Sequence, residues 1–201
     1  MCNASSLLIL NFAHKNLTGQ IPQCLGTFPS LYVLDLQVNN LHGNMPWNFS
    51  KGNSFETIKL NENRLVGQLP QSLANCTKLE VLDLGNNNIE DTFPHWLETL
   101  QEFQEKFRKS LENCILSKGL TFHTIVSLKF GIVGPLMESV EGRDSLGFDK
   151  FEFSVLNLSQ NQFEGIIPTG RQFNTLGNDS YAGNPMLCGF PLSKSCNEDE
   201  E

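Results

Sequence analysis

The sequence predicts an α/β solenoid: short parallel strands stacked at a 24-residue period and interrupted by an irregular, partly helical segment. Three observations carry this. Proline recurs at Pro22, Pro46, Pro70 and Pro94, each 24 residues after the last. Glycine keeps the same step at Gly19, Gly43 and Gly67, with Asp91 in the next slot. Leu supplies 29 of the 201 residues and Asn 21, a pairing that ordinary globular composition does not show. A unit repeated at such a period cannot bury its apolar side alone, whereas stacked copies build one continuous core.

Each element follows from a slot in the repeat. The apolar pair Leu7/Leu10 recurs as Leu31/Leu34, Phe55/Ile58 and Leu79/Leu82, and Phe12, Leu36, Leu60 and Leu84 follow two residues later. Leu-x-Leu is the period-2 signature of a short strand with one buried face. Asn39, Asn63 and Asn87 share the next slot, where the first repeat has Lys15. An inward amide carries donors and acceptors for turn backbone that would otherwise go unpaired, so this slot reads as structural. Leu17, Leu41, Leu65 and Ile89 close each pattern, and glycine and proline then end the strand and turn the chain. Leu73 with Cys76, or Leu97 with Leu100, adds a second apolar contact from the returning arc.

These assignments divide the chain into four repeats over residues 1–102, a divergent segment over 103–152, a last repeat over 153–176 and a terminal segment over 177–201. The divergent segment spans 50 residues and loses the register at Lys106 and Arg108. Leu97, Leu100, Phe103, Phe107 and Leu111 follow helical spacing there, with Glu102 and Glu105 four residues before Lys106 and Lys109. Leu120 to Met137 is apolar, but Lys129 near its centre would cost a membrane span ~3 kcal/mol. A strand or loop is expected instead. The pattern returns with Phe153, Leu156, Leu158, Asn161, Phe163, Gly165 and Pro168.

The stretch from Leu31 to Pro46, LxxLxLxxNxLxGxIP in form, resembles the plant extracellular leucine-rich repeat. Wider blocks, SLANCTKLEVLDLGNNNIEDTFPHWLETL and FSVLNLSQNQFEGIIPTGRQFNTLGNDSYAGNPMLCGFPLSKSC, are similar to kinase-less plant receptor-like proteins of the disease-resistance type. The resemblance implies a cell-surface ectodomain on the extracellular side of the plasma membrane, perceiving pathogen or developmental ligands and signalling through a partner kinase. It also implies a terminal-cap disulfide between Cys188 and Cys196. Family members carry a signal peptide and many repeats before this point and a membrane helix after it. The chain starts at Met1 just before a repeat and ends on Glu198 to Glu201, so it is expected to be a truncated piece. Two other readings stay open: a soluble secreted inhibitor of microbial wall-degrading enzymes, and a nonfunctional truncated product.

The remaining residues exclude most chemistry. The formal charge of 14 − 22 = −8, without a Lys/Arg block, argues against nucleic acid or anionic lipid as partner. His14, His42, His95 and His123 fall in unrelated slots, and no Cys/His ligand spacing appears. Asp35 and Asp83 share a strand slot two turns apart and read as a solvated strand face. No nucleophile–base pair stands out, so neither an enzyme nor a cofactor is expected. Cys24 and Cys76, on the arc among apolar neighbours, read as buried thiols. Sequons occur at Asn3, Asn16, Asn48, Asn75, Asn157 and Asn178. All but Asn157, which sits between two core leucines, are expected glycosylation sites.

A ladder of parallel strands offers a broad outward surface for a protein or peptide ligand. Its variable positions are Asp35, Gln37, Lys59, Asn61, Glu62, Asp83 and Asn86, the expected partner-binding residues. Gln160, Gln162 and Glu164 in the last repeat are the expected contacts for a receptor kinase or co-receptor.

Overall fold

The computed structural model describes residues 6–97, 155–169, 173 and 176–196, all within one compact unit. The first turn contributes β1 (Ile9–Asn11) and β2 (Thr18–Gln20), the second β3 (Val33–Asp35) and β4 (Asn40–Gly43). The third gives β5 (Thr57–Lys59) and β6 (Arg64–Gly67), the fourth β7 (Val81–Asp83) and β8 (Asn88–Thr92). The last turn gives β9 (Val155–Asn157) and β10 (Gln162–Ile166), and β11 (Met186–Cys188) ends the series. Every pairing is parallel. One five-stranded sheet runs β1-β3-β5-β7-β9 and one six-stranded sheet runs β11-β10-β8-β6-β4-β2.

The five-stranded sheet comes from the Leu-x-Leu slots. Leu34, Ile58 and Leu82 are fully buried, and Leu36, Leu60, Leu84 and Leu158 lie beneath the same sheet. Each such side chain contributes about 2 kcal/mol by leaving water. Leu31, Phe55 and Leu79 line the next core layer, and Leu73 and Cys76 close it from the arc. The arc itself holds short 3₁₀ turns at Gln23–Thr27 and Gln71–Asn75.

The six-stranded sheet departs from the sequence reading, which ended each strand at the glycine. The structure instead places the glycine slot inside or at the end of a second strand, where Gly43 and Gly67 adopt φ near +77°. Only one side chain per strand enters the core there, Leu41, Leu65 or Ile89. A single buried residue gives no alternation to read.

β9 pairs with β7 through Val81↔Val155, Leu82↔Leu156 and Asp83↔Asn157. The earlier steps are 24 residues, as in Ile9↔Val33; this one is 155 − 81 = 74. The 50 additional residues therefore contribute no rung between β7 and β9. Helical geometry is present at residues 96–97. The rest of the expected helix, the 120–137 stretch and the whole 103–152 segment lie outside the described residues.

Below β10 the unit ends on an aromatic cluster. Phe93 meets Phe173 edge-on with ring centroids 5.4 Å apart, and Tyr181 lies 6.3 Å from the same ring. Cys188 and Cys196 are joined by a disulfide. Cys76 is a free buried thiol. Cys24 is not, contrary to the sequence reading: it is disulfide-bonded. It is half-buried rather than enclosed by the core, and such exposure leaves a thiol open to pairing.

Candidate binding surface

The asparagine slots fix the strand-to-strand geometry from below. Asn63 Nδ2 donates to the carbonyl oxygens of Leu36, Leu60 and Asn61 at 3.0, 3.1 and 3.2 Å. Its Oδ1 accepts from the Leu41 N–H of the preceding turn at 3.0 Å. Asn39, Asn87 and Asn161 do the same for Leu17, Leu65 and Ile89. Each amide thus staples its own turn to the one before, and Lys15 occupies the slot in a turn that no other described turn precedes. Asn184 extends this ladder into the end segment, accepting from Phe163 N–H at 2.9 Å. The sequence reading missed it. The available signal was its position three residues after the core residue Tyr181, matching Asn161 after Leu158.

On the opposite face of the five-stranded sheet, outward side chains align in rows one turn apart. Ile9, Val33, Thr57, Val81 and Val155 form one row. Asn11, Asp35, Lys59, Asp83 and Asn157 form the next. Leu8, Tyr32, Glu56 and Glu80 continue the ladder on the other flank, linked by backbone bonds of 2.9 Å from each N–H to the preceding carbonyl.

The expected binding residues distribute unevenly over this surface. Asp35 is buried, at 7% exposure, which corrects its reading as a solvated carboxylate. Asn11 Nδ2 and Gln37 Nε2 each donate to its Oδ2 at 3.3 Å, and Gln37 N–H donates to its Oδ1. Those neighbours cover it. Asp83 is half-buried, and burial pushes its carboxyl above the usual range. The Gly85 N–H, the Asn157 side chain and Lys59 pull the other way. Lys59 stands between Asp35 and Asp83 in the register. Gln37 and Asn61 are half-buried; Glu62 and Asn86 are exposed. Asn61 Oδ1 is enclosed without a hydrogen-bond donor.

Glu62 and Asn86 belong to a set of left-handed residues, His14, Val38, Glu62, Asn86 and Gln160, with φ between 51° and 56°. The backbone turns away from the sheet at this slot in every described turn. Gln160 packs beside Gly183, where a Cβ would collide with its amide. Gln162 and Glu164 lie on β10 in the other sheet, paired to Glu90 and Thr92. Gln162 and Glu164 thus do not share the face of Asp35, Lys59 and Asp83, whereas Gln160 keeps the slot of Glu62 and Asn86.

Among the sequons, Asn16, Asn48 and Asn178 are exposed. Asn75 is half-buried and donates one Nδ2 hydrogen to Phe49 O at 2.8 Å, which leaves the second hydrogen of the amide. Asn157 is engaged by Ser159, whose N–H and hydroxyl donate to its Oδ1. Asn3 lies outside the described residues. Among the described residues no cluster of three His, Cys, Asp or Glu is arranged to hold a metal ion, and no helix is long and apolar enough to cross a membrane.

Two sheets stacked at a 24-residue step over an asparagine ladder define a leucine-rich-repeat protein, and the Leucine Rich Repeat family model matches residues 78–100. The chain is related over most of its length to the plant receptor-like proteins. It is 32% identical to receptor-like protein 35 of Arabidopsis thaliana over 170 residues, covering 84% of this chain and 15% of that protein. The fold is similar to the Arabidopsis thaliana BIR3–SERK2 complex, with TM-score 0.60 and 25% identity, covering 92% of this chain and 71% of that one. It is also similar to the Arabidopsis receptor kinase HAESA in complex with the peptide hormone IDA and the co-receptor SERK1. That likeness has TM-score 0.61 and 21% identity, covering 93% of this chain and 23% of that one. The chain spans only a small part of the length of the curated relatives it matches.

Proposed function

We propose that this chain is a ligand-recognition portion of a plant cell-surface receptor-like protein, acting in pathogen perception or development through a partner kinase. The observation that carries the proposal is the five-stranded sheet. Its outward rows are in register over five turns, and their side chains differ without disturbing the leucine and asparagine layers beneath. The neighbours named above, in complex with a peptide hormone and with co-receptors, support a protein or peptide as the partner. Lys59, Glu62, Asp83 and Asn86 are the contacts in this reading, with half-buried Gln37 and Asn61 beside them and Asp35 covered by Asn11 and Gln37. Gln160, Gln162 and Glu164 supply a co-receptor contact, with Gln162 and Glu164 on the other sheet and Gln160 in the slot of Glu62 and Asn86. Asn16, Asn48 and Asn178 carry glycans in the secreted protein, at the outer side of the plasma membrane.

The test expresses the full-length gene product that contains this segment in leaf cells and measures its response to the cognate elicitor. Lys59→Glu with Asn86→Lys should abolish the response, while Arg64→Glu with His42→Glu on β6 and β4, away from Gln162 and Glu164, should leave it intact. Equal loss from both pairs, or a product that never reaches the membrane fraction, would refute the reading.

A further inference from the structure

Trp47 is 74% exposed, more than any other large apolar side chain among the described residues. It stands on the returning arc, and its slot is held one turn earlier by Gln23 and one turn later by Gln71, both exposed. The indole is therefore a single apolar plate among amides, not part of a larger patch. A tryptophan offers about 200 Å² of contact surface, whereas a stable protein partner takes about 800 Å². The occupant that fits has the size of one ring, an apolar face and polar edges. A pyranose meets that description. Its C–H groups stack on an aromatic face, and its hydroxyls suit flanking amides, which both donate and accept.

The next residue can carry such a ring. Asn48 is exposed and begins the sequon Asn48-Phe49-Ser50. Of the six sequons, only this one has an aromatic residue directly before its asparagine; the others have Cys2, Lys15, Ala74, Leu156 and Gly177. Pro46 and Phe49, on either side of the Trp47–Asn48 pair, are buried, so two exposed residues in succession are not the alternation of a strand. The arc has core on one side and solvent on the other, and both side chains leave on the solvent side. Both neighbouring turns hold the pair in place. Trp47 N–H donates to Gln23 Oε1 at 3.1 Å. The Ser72 hydroxyl donates to Trp47 O at 2.6 Å and accepts from Phe49 N–H at 3.0 Å. Ser50 N–H donates to Gly26 O at 3.2 Å. Phe49 is fully buried and meets Phe55 edge-on, with ring centroids 5.5 Å apart. The carrier amide and the plate thus project from one fixed piece of chain, their Cα atoms about 3.8 Å apart.

We propose that the first N-acetylglucosamine of a glycan on Asn48 packs against the indole of Trp47, which serves as a platform for the chain's own sugar. The inference rests on the reading of Asn48 as a glycan carrier given above and adds what that glycan does. It covers the exposed ring, and the ring in turn fixes the direction in which the sugar leaves the arc. Asn75, the other arc sequon, follows Ala74 and has no such plate beside it in the chain.

The experiment uses the full-length gene product secreted with high-mannose glycans. Mass spectrometry reads the occupancy of Asn48, and hydroxyl-radical footprinting reads the oxidation rate of Trp47 in the same peptide map. Trp47 should be protected, and should stay protected when an endoglycosidase trims each glycan to a single N-acetylglucosamine. Ser50→Ala removes the sequon and should raise the oxidation rate of Trp47 at least about threefold, whereas Asn16→Gln and Asn75→Gln should leave it unchanged. In the reverse direction, Trp47→Ser should speed release of the Asn48 glycan from the native protein by peptide N-glycosidase, with release at the other sequons unaltered. These side chains face solvent or, for Ser50 and Asn75, lie half-buried on the arc, and matched melting curves verify the fold of each variant. An unoccupied Asn48 removes the glycan reading of that site and the inference with it. An occupied Asn48 with Trp47 oxidised equally in the parent and in Ser50→Ala overturns the inference alone. Protection of Trp47 by added chitobiose in Ser50→Ala, with none from the attached glycan in the parent, assigns the plate to a separate saccharide and likewise overturns it.

Discussion

Replacing Asn63 by alanine tests whether the buried amides staple neighbouring turns or merely fill space. The three carbonyls that receive its Nδ2 each keep another donor. Leu36 O retains Asn39 Nδ2, Leu60 O retains Asn87 Nδ2, and Asn61 O retains the Val38 N–H. The Leu41 N–H has no such reserve, because its acceptor is Asn63 Oδ1 at 3.0 Å in a buried setting. An orphaned buried N–H costs about 1–3 kcal/mol, and the weakened carbonyl bonds add about 1 kcal/mol. The expected loss is therefore about 2–4 kcal/mol, a shift of roughly 1–2 M in the urea midpoint. Asn63→Asp separates the two halves of the amide. It keeps an acceptor for Leu41 but turns a carboxylate toward three carbonyl oxygens, which raises its folded pKa. A raised carboxyl pKa favours the folded state only while protonated, so this variant should regain stability as pH falls and lose it above the ordinary carboxylate range. The assay is urea unfolding combined with amide hydrogen exchange at Leu41. If alanine costs less than about 1 kcal/mol and the Leu41 amide stays as protected as in the parent, the staple is not what orders the turns.

Four other outcomes follow from three features. Val38 is a β-branched residue at φ 54°, so Val38→Asn should stabilise the protein by about 1 kcal/mol in the same unfolding assay. Burial pushes the Cys76 thiol up to about 12 from 9.0, so iodoacetamide at pH 8.5 should leave it unlabelled in the folded protein and label it in urea. The same shift favours folding below pH 9 and is lost as pH rises from there toward 12, so a pH titration of the melting temperature should fall across that window. Removing the Cys188–Cys196 bridge with a pair of serines frees a loop with a sequence separation of 8. It should cost about 2–3 kcal/mol, read as faster exchange at Leu187 than at Leu34.

The five-stranded sheet was legible in the sequence because two leucines per strand, at positions such as Leu34 and Leu36, write the alternation directly. The asparagine slot was legible as structural because a buried amide every 24 residues has few other uses. Its direction was not. Nothing in a spacing tells that Asn63 serves Leu41 in the turn before as well as its own turn. The second sheet escaped because Asn40–Gly43 and its counterparts bury one residue each and carry a glycine where strands usually avoid it. Asp35 was misplaced for a related reason: pattern puts it on the open face, but the side chains of Asn11 and Gln37 close over it, and such cover depends on tertiary neighbours. The Cys24 bond depends on a partner that no local spacing designates.

The step from Val81 to Val155 bears on what a partner would meet. A stretch of 50 extra residues would shift every later side chain to a new row if the ladder merely continued by count. The register instead resumes with Leu156 on Leu82 and Asn157 on Asp83. Leu84 N–H donates to Asn157 O at 2.9 Å, and Asn161 Nδ2 donates to Leu84 O at 3.0 Å. The staple between the fourth and last turns is therefore the same device that joins Asn63 to Leu41. Because it selects a partner by hydrogen-bond geometry rather than by distance along the chain, the outward rows pass from β7 to β9 without a change of face. A surface that looks broken in the sequence is continuous in space, so residues as far apart in the chain as Ile9 and Val155 belong to one row.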